Sequence, residues 1–244
     1  MMGNLSKAER LLFFDASWYL WRKNAIFVVN NTIMADNYLE KKMEDYKART
    51  ATPSKSRPTF AKLLRKNRSH RGYDPTFVVR EDQMRRILEV NRMIPSARNL
   101  QALRFRPVLH DEAHKVLPHI RLGGALPHLN LPYPGTQPEA FIVICSAVEP
   151  DHYVWIDLGI AAQSMLLQAT EIGLNGIMIG AFDKRAVQEA LGLEREPLLV
   201  IALGKGIEQI ELVDIRAEEP RAYYRDEQGV HYVPKVCLED LILK

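Results

Sequence analysis

The chain has 244 residues, 47% of them hydrophobic and 26% charged, with two cysteines and a formal net charge of +3. So much apolar material excludes a disordered or collagen-like chain, and two cysteines exclude a disulfide scaffold and point to a reducing, cytoplasmic setting. The charge is unevenly spread, at 0 over residues 1–40, +9 over 41–71 and −6 over 72–244. The basic segment could grip nucleic acid by counterion release, lie solvated as an arm, or deliver a few arginines to a phosphate-bearing ligand.

Residues 1–33 share no pattern with the rest of the chain, whereas Met34 opens MADNYLEKKMEDYKART, with acids early and bases late as at a natural amphipathic start. Residues 1–33 are thus either a mis-called upstream start or a helical extension. Asp15, Arg22 and Lys23 interrupt the N-terminal apolar stretch, so no membrane span is expected, and Glu9, Arg10 and Asp15 among the apolar residues, with no small-x-small cleavage site after them, argue against a signal peptide. Residues 50–58 are polar and proline-bearing, and we divide the chain into an extension with a basic arm, 1–58, and a folded domain, 59–244.

Within the domain, Met84, Ile87, Leu88 and Met93 predict a surface helix over Glu81–Met93 that stops before Pro95. Residues Phe105–Leu109 come next as a short strand, whose Pro107 places it at a sheet edge. Gly123–Pro138 reads as a long irregular excursion of the kind that covers a site. Ala140–Ala147 is a buried strand. Leu158–Thr170 carries no charge, which predicts a helix wrapped on nearly every side. Ile177–Ile179 is a strand ending in Gly180, Lys184–Leu191 a helix closed by Gly192, and Pro197–Gly204 a continuous apolar strand. Helices and strands alternate, so the class is mixed α and β.

Several short segments could carry chemistry. In Asn67-Arg68-Ser69-His70-Arg71 an extended backbone would send alternate side chains to one side, which suits a phosphate and a second anionic group. Pro95-Ser96-Ala97-Arg98-Asn99-Leu100-Gln101 sets Ser96, Asn99 and Gln101 in a loop, as helix caps or as ligand contacts able to read the carbonyl and imide edge of a heterocycle. Gly180 at a strand end is either a turn or a place where a ring system approaches the backbone. Gly204-Lys205-Gly206 lacks the full phosphate-loop pattern. His110, His114 and His119 lack metal-site spacing, so no metal is expected.

In this order the segments resemble the FMN-dependent nitroreductase family. Arg68-Ser69-His70-Arg71-Gly72-Tyr73 is similar to its N-terminal arginine motif, and Pro95–Gln101 with Arg104-Phe105 to its flavin loop. Asp157–Ala169 resembles its central helix, Ile179–Asp183 its flavin-facing strand end and Leu199–Gly204 its last core strand. Tyr224-Arg225-Asp226 and His231–Lys235 resemble a branch common in anaerobic bacteria. Two departures stand out: Asn67 where many members have a base, and Ala102-Leu103 in place of a Pro-Trp pair that would wall the substrate pocket.

The resemblance implies an α+β fold, a mixed sheet flanked by helices, with the long central helix at a homodimer interface and one FMN in each of two clefts. It implies a cytoplasmic oxidoreductase in which NADH or NADPH reduces the flavin, which then passes electrons to a nitroaromatic, quinone or similar small acceptor by a ping-pong cycle. No side-chain catalyst is needed. By the same resemblance Arg68, Ser69 and Lys235 hold the phosphate, and Asn99 and Gln101 the pyrimidine edge or ribityl chain. The Gly180 amide would meet the flavin N5 and Arg71 the N1 and C2 carbonyl side, with Ser96 and Ile179 also in the cofactor site. Neither nucleic acid nor membrane is then a partner. The rival is a flavin-holding or nucleic-acid-binding protein that acts through residues 41–71 without turnover.

Overall fold

The structure is a computed structural model that describes residues 40–44, 59–124 and 129–243. The chain divides into two units, Met1–Arg57 and Pro58–Lys244. In the first, residues 40–44 are helical, and residues 1–33 lie outside the described residues.

The second unit is built on a four-stranded sheet. Its strands are β1 (Leu103–Val108), β2 (Ala140–Ser146), β3 (Asn175–Ile179) and β4 (Pro197–Gly204), ordered β1-β2-β4-β3 with every neighbouring pair antiparallel. Because side chains alternate along a strand, the uniformly apolar β2 and β4 serve two cores at once. Ala140, Ile142, Ile144, Ile201 and Leu203 enter one core with Met84 and Ile87, while Phe141, Val143, Val200 and Ala202 enter the other with Val108, Val116 and Val187. Pro107 lies opposite Ile142 on the edge strand, where its missing N–H costs no ladder bond on the open side.

Helix α1 (Phe60–Lys66) precedes the arginine motif, and α2 (Glu81–Glu89) buries Met84 and Ile87. The expected stripe extends one turn too far: the chain tightens into a 3₁₀ turn over Val90–Arg92, which buries Val90 and leaves Met93 at the surface, 73% exposed. Helix α3 (His152–Glu171) starts on Asp151, whose carboxylate accepts the Val154 N–H at 2.9 Å. It ends at Gly173, where φ is +84°.

Over the predicted span Leu158–Thr170 the chain leaves only Gly159 exposed, with Ile160, Gln163, Ser164, Leu167 and Gln168 half-buried, while the part of α3 before that span is open on one side. Val154, Leu158, Ala161, Ala162, Met165 and Ala169 are buried, whereas Tyr153, Trp155, Ile156 and Gly159 are exposed. Helix α4 (Lys184–Leu191) closes on Gly192 in the left-handed conformation, as its sequence implies.

A second sheet completes the unit: β5 (Ile210–Ile215), β6 (Tyr224–Arg225) and β7 (His231–Val236), ordered β5-β7-β6, with β5 parallel and β6 antiparallel to β7. A short helix α5 (Leu238–Leu241) comes last. Among the described residues no helix is long and apolar enough to cross a membrane.

Candidate functional site: an arginine cradle and a separate polar loop

The arginine motif is held between the two sheets' strands. Ser69 bridges Gly176 of β3, and the His70 N–H donates to the Gly176 carbonyl at 3.2 Å. A Cβ on Gly176 would lie 2.6 Å from the Ala202 carbonyl oxygen, so only glycine lets the motif lie this close to the sheet. The Tyr73 N–H donates to the Thr136 carbonyl at 2.9 Å, so the described part of the irregular excursion backs the motif.

Beneath the motif lies Glu208, whose side chain is 8% exposed. Its carboxylate accepts the N–H groups of Arg71 and Gly72, pairs with the Arg225 guanidinium and faces His70 Nδ1 at 3.9 Å. One buried acid thus fixes the backbone that aims the Arg71 side chain.

The motif walls a cavity of about 350 Å³, a size suited to a small cofactor or part of one. Arg68, Ser69 and Arg71 line it from the motif, Gln163 and Leu166 from α3, Tyr223 from the loop before β6, and His231 and Lys235 from β7. Arg68 is half-buried, and its Nη2 donates to the Leu64 carbonyl at 2.7 Å. Arg71 is 8% exposed; its Nη1 donates to the Ser69 carbonyl at 3.0 Å and its guanidinium lies 5.2 Å from the Tyr223 ring centre.

Among the described residues, the Nε of Arg68, the Nε of Arg71 and Nδ1 of His231 are buried without a hydrogen-bond partner. Buried polar atoms are nearly always satisfied, so these side chains keep donor capacity in reserve, and with Lys235 they line one cavity with cationic groups that fit an anionic ligand. A phosphate monoester has that donor demand, and the residues present suit it.

Both histidines here titrate below the ordinary imidazole value. Burial is the chief cause for each; Glu208 opposes it, while Arg71 and Arg68 reinforce it at His70 and Arg71 and Arg225 at His231. The unfolded chain therefore accepts protons, near pH 6.5, that the folded chain resists. Stability contributed by the neutral rings is full above that pH and is lost as pH falls toward the lower folded values. Melting temperatures of the ligand-free protein should drop between pH 7.5 and 5.5, and the drop should shrink in H70Q/H231Q. An unaltered pH slope in the double variant would contradict this.

The other predicted residues lie elsewhere. Ser96 Oγ donates to the Asp157 carboxylate at 2.7 Å and accepts the Gln101 N–H at 2.9 Å, so its capacity is spent on shaping the loop. Asp157, itself buried, also takes the Ala97 N–H at 3.0 Å. Arg98, Asn99 and Gln101 all have positive φ, at 53°, 52° and 47°, a conformation that costs non-glycine residues energy and that this clamp maintains. Asn99 and Gln101 are exposed and bonded to each other, Gln101 Nε2 donating to Asn99 Oδ1 at 3.0 Å.

Ser96 and Gln101 line a second, more apolar cavity with Asp157 and Ala161 of α3. At 100° per residue, Asp157 and Ala161 face the opposite side of the helix from Gln163 and Leu166 of the first cavity. A single chain does not bring the two groups together. Ile179 is 3% exposed and packs in the second core, so only its backbone is available to a ligand, while the space around exposed Gly180 is open.

Against this geometry stand the comparisons with known proteins. The family model described as "Nitroreductase family" matches residues 64–130 and 130–205. The chain belongs to the nitroreductase family.

A curated relative from Methanocaldococcus jannaschii, named a "putative nitroreductase", is 38% identical over 56 residues. That match takes in 23% of this chain and spans only 28% of the relative's length. Among solved structures, a nitroreductase family protein from Streptococcus pneumoniae TIGR4 has a TM-score of 0.53 at 18% identity, over 66% of this chain and 96% of that one. An FMN-dependent nitroreductase from Clostridium difficile R20291 has a TM-score of 0.50 at 24% identity, over 60% and 87%. At such identities these structures support the nitroreductase fold.

Glu208 and Tyr223 of this cradle are absent from the sequence motifs, and His231 enters them only within His231–Lys235, with no place in the site. Their signals are faint. Gly204 and Gly206 are the best of them, because a Cβ at Gly204 would lie 2.7 Å from the Tyr73 ring and one at Gly206 would overlap the His70 ring. The glycine triplet is thus explained by two rings of the arginine motif packing on its backbone.

Proposed function

We propose that this nitroreductase holds FMN and passes electrons from NADH or NADPH to a nitroaromatic, quinone or similar small acceptor in a ping-pong cycle. The observation that carries the reading is the cavity walled by Arg68, Arg71 and Lys235, with two guanidinium nitrogens unpartnered among the described residues. The cofactor, when bound, supplies the hydride chemistry, and the protein supplies binding, orientation and charge.

Arg68, Ser69 and Lys235 hold the single phosphate. Arg71, charged at every working pH, favours negative charge on the N1 and C2 edge of the ring. Asn99 and Gln101 would read the pyrimidine edge or ribityl chain, and the Gly180 amide would meet N5, a role that the open space around Gly180 allows.

The site is shared between two copies of the chain in a homodimer. Supporting this, the polar loop and the cradle flank opposite sides of α3, and the uncovered side of that helix carries Tyr153, Trp155 and Ile156. No role in nucleic-acid binding is proposed: the two arginines of the basic stretch that line the cavity, Arg68 and Arg71, serve a small anion. Extraction of the purified protein should release FMN and no FAD, and NADH or NADPH should bleach the bound flavin. A colourless protein that gains no absorbance with added FMN would refute the reading.

A further inference from the structure

Strand β7 places His231, Val233 and Lys235 on one face, two residues apart, and all three line the cradle cavity. Across the ladder, Ile210 of β5 pairs with His231 and lines the same cavity. Lys235 is exposed and needs no further explanation. His231 does: it is 1% exposed, and its Nδ1 has no hydrogen-bond partner among the described residues. An imidazole buried at the wall of a cavity that Arg68, Arg71 and Lys235 also line is placed to meet an anion.

We propose that His231 is a ligand of the bound phosphate monoester, taking a proton from solvent as the anion enters and donating a charged hydrogen bond to one of its oxygens. The inference rests on the reading of the cavity as a phosphate site and adds to Arg68 and Lys235 a third cation at the phosphate, one that exists only in the bound state.

The surroundings explain why the charge waits for the ligand. From the arginine motif His231 faces Arg71 and His70, from the loop before β6 it meets the Tyr223 ring at 5.1 Å, from β6 it faces Arg225, and from the segment before β5 it faces Glu208. Lys235 lies farther along its own strand. Two guanidiniums oppose a third positive charge, and Glu208, the one acid of the group, is already engaged by Arg225 and by the backbone of Arg71 and Gly72. Burial and these cations keep the ring neutral in the ligand-free protein. A phosphate brings about −1.5 to −2 charges and reverses that balance.

The test is calorimetric titration of the full, flavin-free chain with FMN and with riboflavin at pH 7.5, in buffers of different ionisation enthalpy. FMN should bind with net proton uptake and riboflavin, which lacks the phosphate, without it. In H231Q, where an amide can still donate but not charge, the uptake should vanish. The wild-type affinity should rise as pH falls from 8 to 6.5, by up to about tenfold per pH unit if a whole proton is taken up, and that slope should be lost in the variant. Uptake unchanged in H231Q overturns the assignment while the phosphate reading stands. FMN that does not bind overturns both. Should H231Q fail to fold, the wild-type comparison decides, and equal proton counts for FMN and riboflavin overturn the inference.

Discussion

Arg68→Ala is expected to weaken FMN binding at least about tenfold, because a charge-assisted hydrogen bond to phosphate contributes about 1.5 to 3 kcal/mol. The guanidinium is placed for this by two constraints. Its Nη2 is tethered to the last turns of α1 through the Leu64 carbonyl, and its Nε is buried with no partner among the described residues. Alanine removes the donors without disturbing a core contact, so melting temperature should change little while affinity falls. Riboflavin affinity should be the same in both proteins. Equal FMN affinity in wild type and variant would place the phosphate elsewhere.

Glu208→Ala should have the largest effect on folding. It leaves the Arg225 guanidinium and two backbone N–H groups without an acceptor in a buried setting, and breaking a buried ion pair from one side costs about 3 to 5 kcal/mol. For a unit of this size a loss of 1 kcal/mol lowers the melting temperature by roughly 2 to 4 °C. The variant should therefore melt roughly 6 to 20 °C lower. FMN affinity should fall with it, because the Arg71 backbone loses its anchor. Glu208→Gln keeps an acceptor but no charge and should lie between the two. A melting temperature within 2 °C of wild type for Glu208→Ala would mean that the cradle is held by other contacts.

The fold is legible in the sequence wherever one periodicity dominates. The apolar runs of β2 and β4, the edge proline of β1 and the Gly192 stop of α4 each express a single local rule. The second sheet is illegible for a physical reason. Glu211 and Leu212 of β5 are both exposed, so no alternation marks the strand, and Pro234 stands inside β7. Proline is tolerated there because β6 pairs only with His231 and Tyr232, which leaves β7 open on that side at residue 234.

The site divides in the same way. Arg68, Ser69 and Arg71 can be found from a local motif, and the structure gathers them with Lys235 in one cavity. Glu208 and His231 come from distant stretches, and their parts depend on a buried ion pair and on a strand face that no short window contains. Ser96, Asn99 and Gln101 are legible as one loop, yet the single chain holds that loop on the far side of α3 from the cradle. Sequence patterns reveal which residues form a loop and say little about which copy's cavity it serves.

The claim of a site shared between two chains can be tested most directly by complementation. Arg68→Ala in one tagged copy and Asn99→Ala/Gln101→Ala in a differently tagged copy are co-expressed, and dimers carrying both tags are isolated. Each parent dimer has two damaged sites. In the mixed dimer a shared site puts both lesions into one cleft and leaves the other intact, so about one FMN per two chains should be recovered, with matching NAD(P)H turnover. Mixed dimers as empty of flavin as either parent would show that cradle and loop serve the same chain, and would contradict the account.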